Sequence, residues 1–519
     1  MGIESLADVV RTWAADRPGA AAIEFEGRTI TYGELDERSS RLANALAAAG
    51  VGPQDHVAFI DKNGPEFFDV SFAVGKLNAI TVAVNWRLAP TEMAYVINDA
   101  DAKVVIVGPD FVPHVEKIED ELTTVSTIIA IGGHARWEDY ERWLGAQPAD
   151  DPGVTSAVED VAVQLYTSGT TGLPKGVMLT NANFFGMIGR VSTAWGFGPD
   201  SVNIACMPMF HIAGSGWATV GLYHGACTVL LRDVDPARIL HVIPEFGVTN
   251  ALFVPAVIQF LLATPGVDET DFSSLRTLVY GASPITDAVL TRALETFGCD
   301  IIQVYGLTET TGAITQLEAA DHDPVGRPHL LRSCGRPYPW VEMRIVDPES
   351  AEDVPVGAVG ELWTRSPQNM KGYWNNPAAT AAAITDDGWF KTGDVGFRDA
   401  DGFLFLHDRV KDMIVSGGEN IYPAEVENVL AKHPDVADVA VIGVPDERWG
   451  EAVKAVVVRR EGSEVSEPEL ITFAREHLAG YKLPKSVDFT DVLPRNPSGK
   501  LLKRELREPY WEGHDRRVN

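Results

Sequence analysis

Cysteine is scarce in this chain, with four in 519 residues. Cys206, Cys227, Cys299 and Cys334 lie far apart and lack metal-ligand spacing, which excludes a disulfide-stapled secreted domain and a zinc site. Reduced core thiols in a cytoplasmic protein are the expectation. Long apolar runs are also missing, so no membrane-spanning helix is expected, and only peripheral contact with a membrane stays open. Residues 1–20 hold Glu4 and Asp8 and no apolar core of a secretion signal, and Leu6 stands where a myristoylation motif needs Ser or Thr. Basic residues are outnumbered, 43 against 73 acidic, for a formal net charge of −30. A nucleic-acid partner is therefore not expected. Internal repeats and low-complexity stretches are absent. Oligomeric state is not legible, and a homodimer is compatible with everything read here.

The length exceeds what one hydrophobic core can serve and implies at least two domains. Hydrophobic residues at 45% and charged residues at 22% suit an ordinary globular enzyme. Residues 31–50 read as a helix, with Thr31 and Glu34 as a capping box, Leu35, Leu42 and Leu46 on one face, and Gly50 as the stop. Apolar runs at 104–107, 127–131, 228–231, 275–280 and 301–305 alternate with helical patterns, which predicts α/β layers with largely parallel strands. From about Ser333 short strands separated by Gly, Pro and Asp turns predict a β-rich subdomain. Beyond Lys411 the pattern is compact α+β: helix at 424–432, strands at 436–442 and 452–458, helix at 467–478.

The most informative run is Ser168 to Gly176, Ser-Gly-Thr-Thr-Gly-Leu-Pro-Lys-Gly. Glycines let backbone N–H groups approach an anion, hydroxyls donate further hydrogen bonds, and Lys175 adds a full charge. Most Gly/Ser/Thr stretches are plain surface loops, but a structural loop gains nothing from a Pro-Lys-Gly ending. The ordinary P-loop is excluded, because it ends in Gly-Lys-Ser/Thr. With an apolar strand at 161–165 before it and a helix at 182–195 after it, the loop is expected where a sheet hands over to a helix, a favoured place for nucleotide phosphates.

Thr167 to Gly176 resembles the phosphate loop of the acyl-adenylate-forming superfamily. Further motifs follow in that family's order: Tyr305-Gly306-Leu307-Thr308-Glu309, Lys391-Thr392-Gly393-Asp394, Asp408-Arg409-Val410-Lys411-Asp412, Ser416-Gly417-Gly418-Glu419-Asn420 and Pro494 to Lys500. Weaker similarity starts at Thr31, so nearly the whole chain is covered. The resemblance implies an N-terminal AMP-binding domain over residues 1–408, a hinge at 409–412 and a mobile C-terminal domain over 413–519. It implies a ligase that joins a small carboxylic acid to coenzyme A through an acyl-adenylate, using ATP and Mg²⁺.

By the same resemblance, Thr167, Ser168, Gly169, Thr170, Thr171, Gly172 and Lys175 hold the β- and γ-phosphates. Thr308 serves the α-phosphate and Glu309 the metal. Gly281, Ala282, Ser283 and Tyr305 meet the adenine side, Gly306 belongs to the cofactor-binding set, and Asp394 with Arg409 meets the ribose. Lys500 is the catalytic lysine delivered by the mobile domain, and Lys411 the hinge residue. Ser416, Gly417, Gly418, Trp449, Tyr481 and Lys485 meet coenzyme A, with the nucleotide-end contacts less defined because some relatives carry an arginine where Leu483 stands. Between 478 and 507 seven basic residues face three acidic ones, a net +4, which reads as local attraction for anionic substrates in an acidic protein.

His211 stands where amino-acid-activating relatives carry an aspartate, so a plain carboxylic acid is expected, with His211 lining or gating its pocket. Acetate-activating relatives have tryptophan at the position of Gly306, so the pocket should be open. Gly214, Gly216, Ala218, Gly221 and Ala313 read either as further room for the acyl group or as tight helix packing. A medium- to long-chain fatty acid is the expected substrate, with an aromatic or bulky acid as the alternative. A carrier-protein ligase, for which an insertion near the hinge is expected and not found, a luciferase-like oxygenase and a nucleotide sensor are the other readings.

Overall fold

The structure is a computed structural model that describes residues 2–167, 173–283, 285–348, 350–409, 412–416, 419–446, 449–495 and 501–512. Ser168, Gly169, Thr170, Thr171, Gly172, Lys411, Gly417, Gly418 and Lys500 lie outside these residues, and Arg409 enters through its backbone alone.

The helix Tyr32–Ala48 shows how the local rules act. Thr31 Oγ1 accepts the Glu34 N–H at 3.1 Å, Leu35, Leu42 and Leu46 are fully buried, and Gly50 leaves the helix at φ +86°. The reciprocal half of the predicted capping box is not made, because the Glu34 carboxylate pairs with Arg28 instead.

Two large sheets carry the N-terminal part. Among the described residues one has nine strands in the order Arg336–Pro337, Gly312–Leu317, Asp300–Leu307, Thr277–Gly281, Asn250–Phe253, Val202–Ala205, Cys227–Leu230, Ala21–Phe25, Arg28–Thr31. Its interior pairs are parallel and its edges antiparallel. The second runs Gly372–Tyr373, Lys175–Thr180, Val161–Thr167, Ile80–Ala83, His56–Ile60, Ala102–Val107, Thr127–Ala130, Glu138–Asp139. Here Ile80–Ala83 and the strands beyond it are parallel to one another and to Val161–Thr167. Helices between the strands cover the sheets, as parallel crossovers require.

The predicted β-rich subdomain is an antiparallel sheet of Glu342–Val346, Gly360–Arg365, Phe390–Arg398 and Leu404–Arg409, the last two joined by a turn with Gly402 at φ +86°. The small C-terminal domain wraps the helices Pro423–Leu430 and Glu467–Arg475 on a sheet led by the long antiparallel pair Val436–Asp446 and Gly450–Arg459, around its own core of Ile414, Ile421, Val426, Leu430, Val441 and Val453. Leu483 belongs to that core, where it is packed rather than offered to a ligand.

One expectation is corrected. The glycine-rich loop does not pass from a strand to a helix, because Lys175–Thr180 is itself a strand, antiparallel to Val161–Thr167, with Thr167 and Lys175 as a register pair. The helix Asn181–Val191 begins after it, capped by Thr180. At about 3.3 Å per strand residue, that helix N-terminus stands about 20 Å from the loop, too far for its dipole to hold a phosphate.

Candidate active site

In open parallel sheets, ligands bind beyond the carboxyl ends of the strands. Both sheets present such ends to the same place. Val161–Thr167 ends at Thr167, and Asp300–Leu307 runs into the short helical turn Thr308–Thr310. Glu309 on that turn joins them: its carboxylate accepts from Tyr373 Oη at 3.0 Å and from Thr167 Oγ1 at 3.4 Å. The Lys175 ammonium sits 4.9 Å from the centre of the Tyr373 ring. Thr167, Lys175 and Glu309 are thus brought together at the two ends of the glycine-rich loop.

Tyr373 escaped the sequence reading. The signal was its place in the run Gly372-Tyr373-Trp374, beside the loop on the sheet edge. Burial first, then the neighbouring Glu309, push its phenol well above the ordinary tyrosine range, so it stays a proton donor. Loss of this donor in Tyr373→Phe is expected to lower kcat/KM for ATP about tenfold with little change in melting temperature, measured by pyrophosphate release and thermal denaturation.

A second tyrosine–carboxylate pair lies on the adjoining elements. Tyr305 Oη donates to Asp394 Oδ2 at 2.7 Å, and the Asp394 N–H donates to Thr392 Oγ1 at 3.1 Å. Asp394 is opposite Arg409 in the strand register. Burial and then Asp394 raise the Tyr305 phenol far above its usual range, so this pair too is a neutral donor on a carboxylate. A carboxylate has two oxygens and accepts from more than one donor at once, a chemistry that suits vicinal hydroxyls.

No three carboxylate, imidazole or thiol side chains cluster as a metal cage among the described residues. Glu309 alone, between the ends of the glycine-rich loop, is the kind of donor set that Mg²⁺ takes when it keeps waters and binds substrate phosphates, so the residues fit that ion.

Next to this cluster lies an apolar cavity of about 130 Å³, walled by the helices Asn181–Val191 and Ile212–Tyr223 and by the carboxyl ends of the parallel strands, with no charged side chain in its lining. Gly281, Ala282 and Gly306 face it. Ala282 at φ +68° and Thr311 at φ +52° hold left-handed backbone against its wall, a strained state typical of functional sites. Gly306 lines the cavity, and a Cβ there would sit 1.8 Å from the Gly312 carbonyl oxygen.

The small residues divide. Gly216 and Ala313 line the cavity, and a Cβ on Gly216 would meet only the flexible end of Ile212 and, beyond it, Phe184. Gly214 and Gly221 are packing glycines, since a Cβ would lie 2.1 Å from the Pro208 oxygen or 2.7 Å from Asn203 Nδ2, and Ala218 is buried core.

His211 precedes the helix Ile212–Tyr223, packed against Phe210, with its Nε2 buried and unpartnered among the described residues. Burial, with Arg87 nearby, lowers its pKa to about 4, so it is neutral at physiological pH and cannot replace an ionic contact. The unfolded chain binds this proton near pH 6.5, so the histidine's contribution to stability is intact above that value and is lost as pH falls toward 4. The stability gap between the wild type and His211→Leu, read from urea unfolding, is expected to shrink by about 2 kcal/mol from pH 7.5 to pH 5.

In the C-terminal domain Ser416 pairs in register with Gly450, which brings it beside Trp449. Trp449 and Tyr481 are exposed aromatic rings and Lys485 is exposed. The basic stretch is not the free cationic surface the sequence suggested. Lys482 pairs with Glu425, Arg495 with Asp438, Lys503 with Glu427, Arg504 with Glu508 and Arg507 with Asp412, so most of its charge is neutralised within the domain.

Comparison with known proteins agrees with this geometry. Residues 10–374 match the AMP-binding enzyme family, and residues 425–500 match the AMP-binding enzyme C-terminal domain. A fatty acid–[acyl-carrier-protein] ligase, ScoC, from Streptomyces coeruleorubidus is 40% identical over 100% of this chain and 98% of its own. A feruloyl-CoA synthase from an Amycolatopsis species is 40% identical over 95% of this chain and 96% of its own. The crystal structure of ATP-bound MatB from Rhodopseudomonas palustris superposes with a TM-score of 0.89 at 31% identity, covering 98% of this chain and all of that one. The chain belongs to the AMP-binding enzyme family and, with it, to the acyl-adenylate-forming superfamily of acid ligases.

Proposed function

We propose that this protein is an AMP-forming acid–CoA ligase for a carboxylic acid whose body, beyond the reacting carboxylate, is uncharged and apolar. The observation that carries the reading is the convergence of Thr167, Lys175 and Glu309 beside an apolar cavity that holds no charged side chain. The loop 168–172 and Lys175 bind the β- and γ-phosphates, and Thr308 the α-phosphate. Bound at Glu309, Mg²⁺ would neutralise phosphate charge. Asp394, oriented by Tyr305, accepts from the ribose hydroxyls. An acid carboxylate oxygen then attacks the α-phosphorus, the bond to pyrophosphate breaks, and Lys500 offsets the negative charge that gathers there. In the second step the coenzyme A thiol attacks the acyl carbonyl, the C–S bond forms and AMP leaves with the bonding pair. We place the domain boundary in residues 409–412, with Lys411 as the pivot that withdraws Lys500 and brings Ser416, Trp449, Tyr481 and Lys485 to the thiol's path.

A second reading replaces coenzyme A with the phosphopantetheine of a carrier protein. It is favoured by ScoC, which aligns over nearly its whole length, so the lack of an insertion near the hinge does not separate the two acceptors. Both are tested by measuring pyrophosphate and AMP release over apolar acids of graded size, with coenzyme A or with a phosphopantetheinylated carrier protein. Acid-dependent AMP formation completed only by coenzyme A supports the first reading, and completion only by the carrier protein supports the second. ATP binding without pyrophosphate release would show a sensor rather than a ligase.

A further inference from the structure

The acyl cavity is lined by two indoles, Trp195 and Trp217, with ring centres 5.6 Å apart and planes tilted by 45°. Each is anchored by a buried hydrogen bond. Trp195 Nε1 donates to Gln316 Oε1 at 3.0 Å, an oxygen that also accepts from Tyr338 Oη, and Trp217 Nε1 donates to the Ile204 carbonyl at 3.0 Å. Behind Trp217 stands Phe197, edge-on at 5.2 Å and itself stacked on His224, whose Nε2 meets Ser192 Oγ at 2.7 Å. Swinging either indole aside would strand a buried N–H, so the pair is a fixed base and not a gate.

The strand register gives the depth. Gly312 pairs with Leu307 at the catalytic edge, whereas Gln316, which holds Trp195, pairs with Val304 farther down. A bulge between Tyr305 and Gly306 makes this an advance of only three residues on the partner strand, a span of about 10 Å. Along that span an extended alkyl chain advances about 1.3 Å per carbon, given C–C bonds of about 1.5 Å. The room is about eight carbons. The volume leads to the same limit, since about 130 Å³ resembles the engineered apolar cavity of about 150 Å³ that holds one benzene.

Resting on the acid-ligase reading, we propose that Trp195 and Trp217 act as a size stop that restricts the substrate to acids with one aromatic ring or a chain of about eight carbons. This narrows the expectation of a medium- to long-chain fatty acid to its short end and excludes long chains.

The test is AMP and pyrophosphate release by the full-length protein with straight-chain acids of four to sixteen carbons and with phenylacetic, 3-phenylpropionic and cinnamic acids. The wild type is expected to lose at least tenfold in kcat/KM between octanoate and hexadecanoate and to use the one-ring acids. Trp217→Leu is expected to move the optimum toward longer chains by two or more carbons and raise kcat/KM for dodecanoate tenfold, with KM for ATP held. Gly216→Val, which narrows the wall where only Ile212 must give, is expected to move it the other way and serves if Trp217→Leu fails to fold. Equal use of hexadecanoate and octanoate by the wild type, or an unchanged profile in the folded variants, overturns the size stop while leaving the ligase reading intact. Failure of every acid to release AMP overturns the ligase reading and the size stop with it.

Discussion

Lys500→Ala is expected to lower acid-dependent pyrophosphate release by about a hundredfold or more, while thioester formation from supplied acyl-adenylate and coenzyme A survives. The reason is where charge appears. In adenylation, negative charge gathers between the incoming carboxylate and the α-phosphate, and an ammonium held there in a water-poor cleft is worth far more than one in bulk water. In thioester formation the leaving AMP already carries its charge on a stable phosphate, so the lysine contributes little. Lys500 directly precedes Leu501, which bridges to Arg495, while the Leu502 N–H donates to the Pro494 carbonyl at 2.8 Å. The described residues on either side of segment 496–500 are therefore paired with each other. Measuring both half-reactions on one preparation separates the outcomes. Equal loss of the two would assign Lys500 to folding or to domain position, and full retention of both would remove it from the chemistry.

Glu309→Gln carries the other large expectation, a loss of about a hundredfold in adenylation with a clear rise in the Mg²⁺ concentration for half-maximal rate. The substitution keeps size and one acceptor oxygen for Tyr373 and Thr167, so the local fold is spared and the lost charge is isolated. A hard divalent cation with strong hydration needs an anionic oxygen to settle beside triphosphate, and a neutral amide is a poor substitute. Titrating Mg²⁺ at saturating ATP is the measurement. A variant with lowered rate but unchanged Mg²⁺ dependence would make Glu309 an organiser of the loop ends and not a metal ligand. Together with Tyr373→Phe, the result apportions the site between the carboxylate and the phenol that aims it.

Much of the layered architecture was legible because parallel strands buried on both faces read as short apolar runs: 104–107 lies within Ala102–Val107, and 301–305 within Asp300–Leu307. The strand Lys175–Thr180 was missed for a related reason. Val177, Met178 and Leu179 form a run too short for periodicity to tell strand from helix, and the helix that follows drew the assignment forward. Glu309 was legible from its motif, but Tyr373 was not, because the contact between them joins segments 64 residues apart and depends on a sheet edge that no local pattern announces. The same limit explains Gly214 and Gly221. A small residue shows that something comes close, and only the fold shows whether that is a ligand or a neighbouring carbonyl. The basic segment misled because charge counting is one-dimensional, whereas Glu425, Glu427 and Asp438 reach it across the small domain's fold.

The contact between position 306 and the Gly312 carbonyl bears on how this enzyme could acquire new preferences. Any side chain at 306 collides with main chain and cannot be relieved by a rotamer change, so the neighbouring strand Gly312–Leu317 would have to move in concert. A mutational walk toward tiny acids is thus hindered at that doorway, where the first step also requires the strand to shift. Gly216 leaves such a walk an open path, because its nearest obstacle is the pliable tip of Ile212. Laboratory selection for altered acid choice should accumulate replacements on the helix Ile212–Tyr223 and leave the glycine pair of the strand edge untouched.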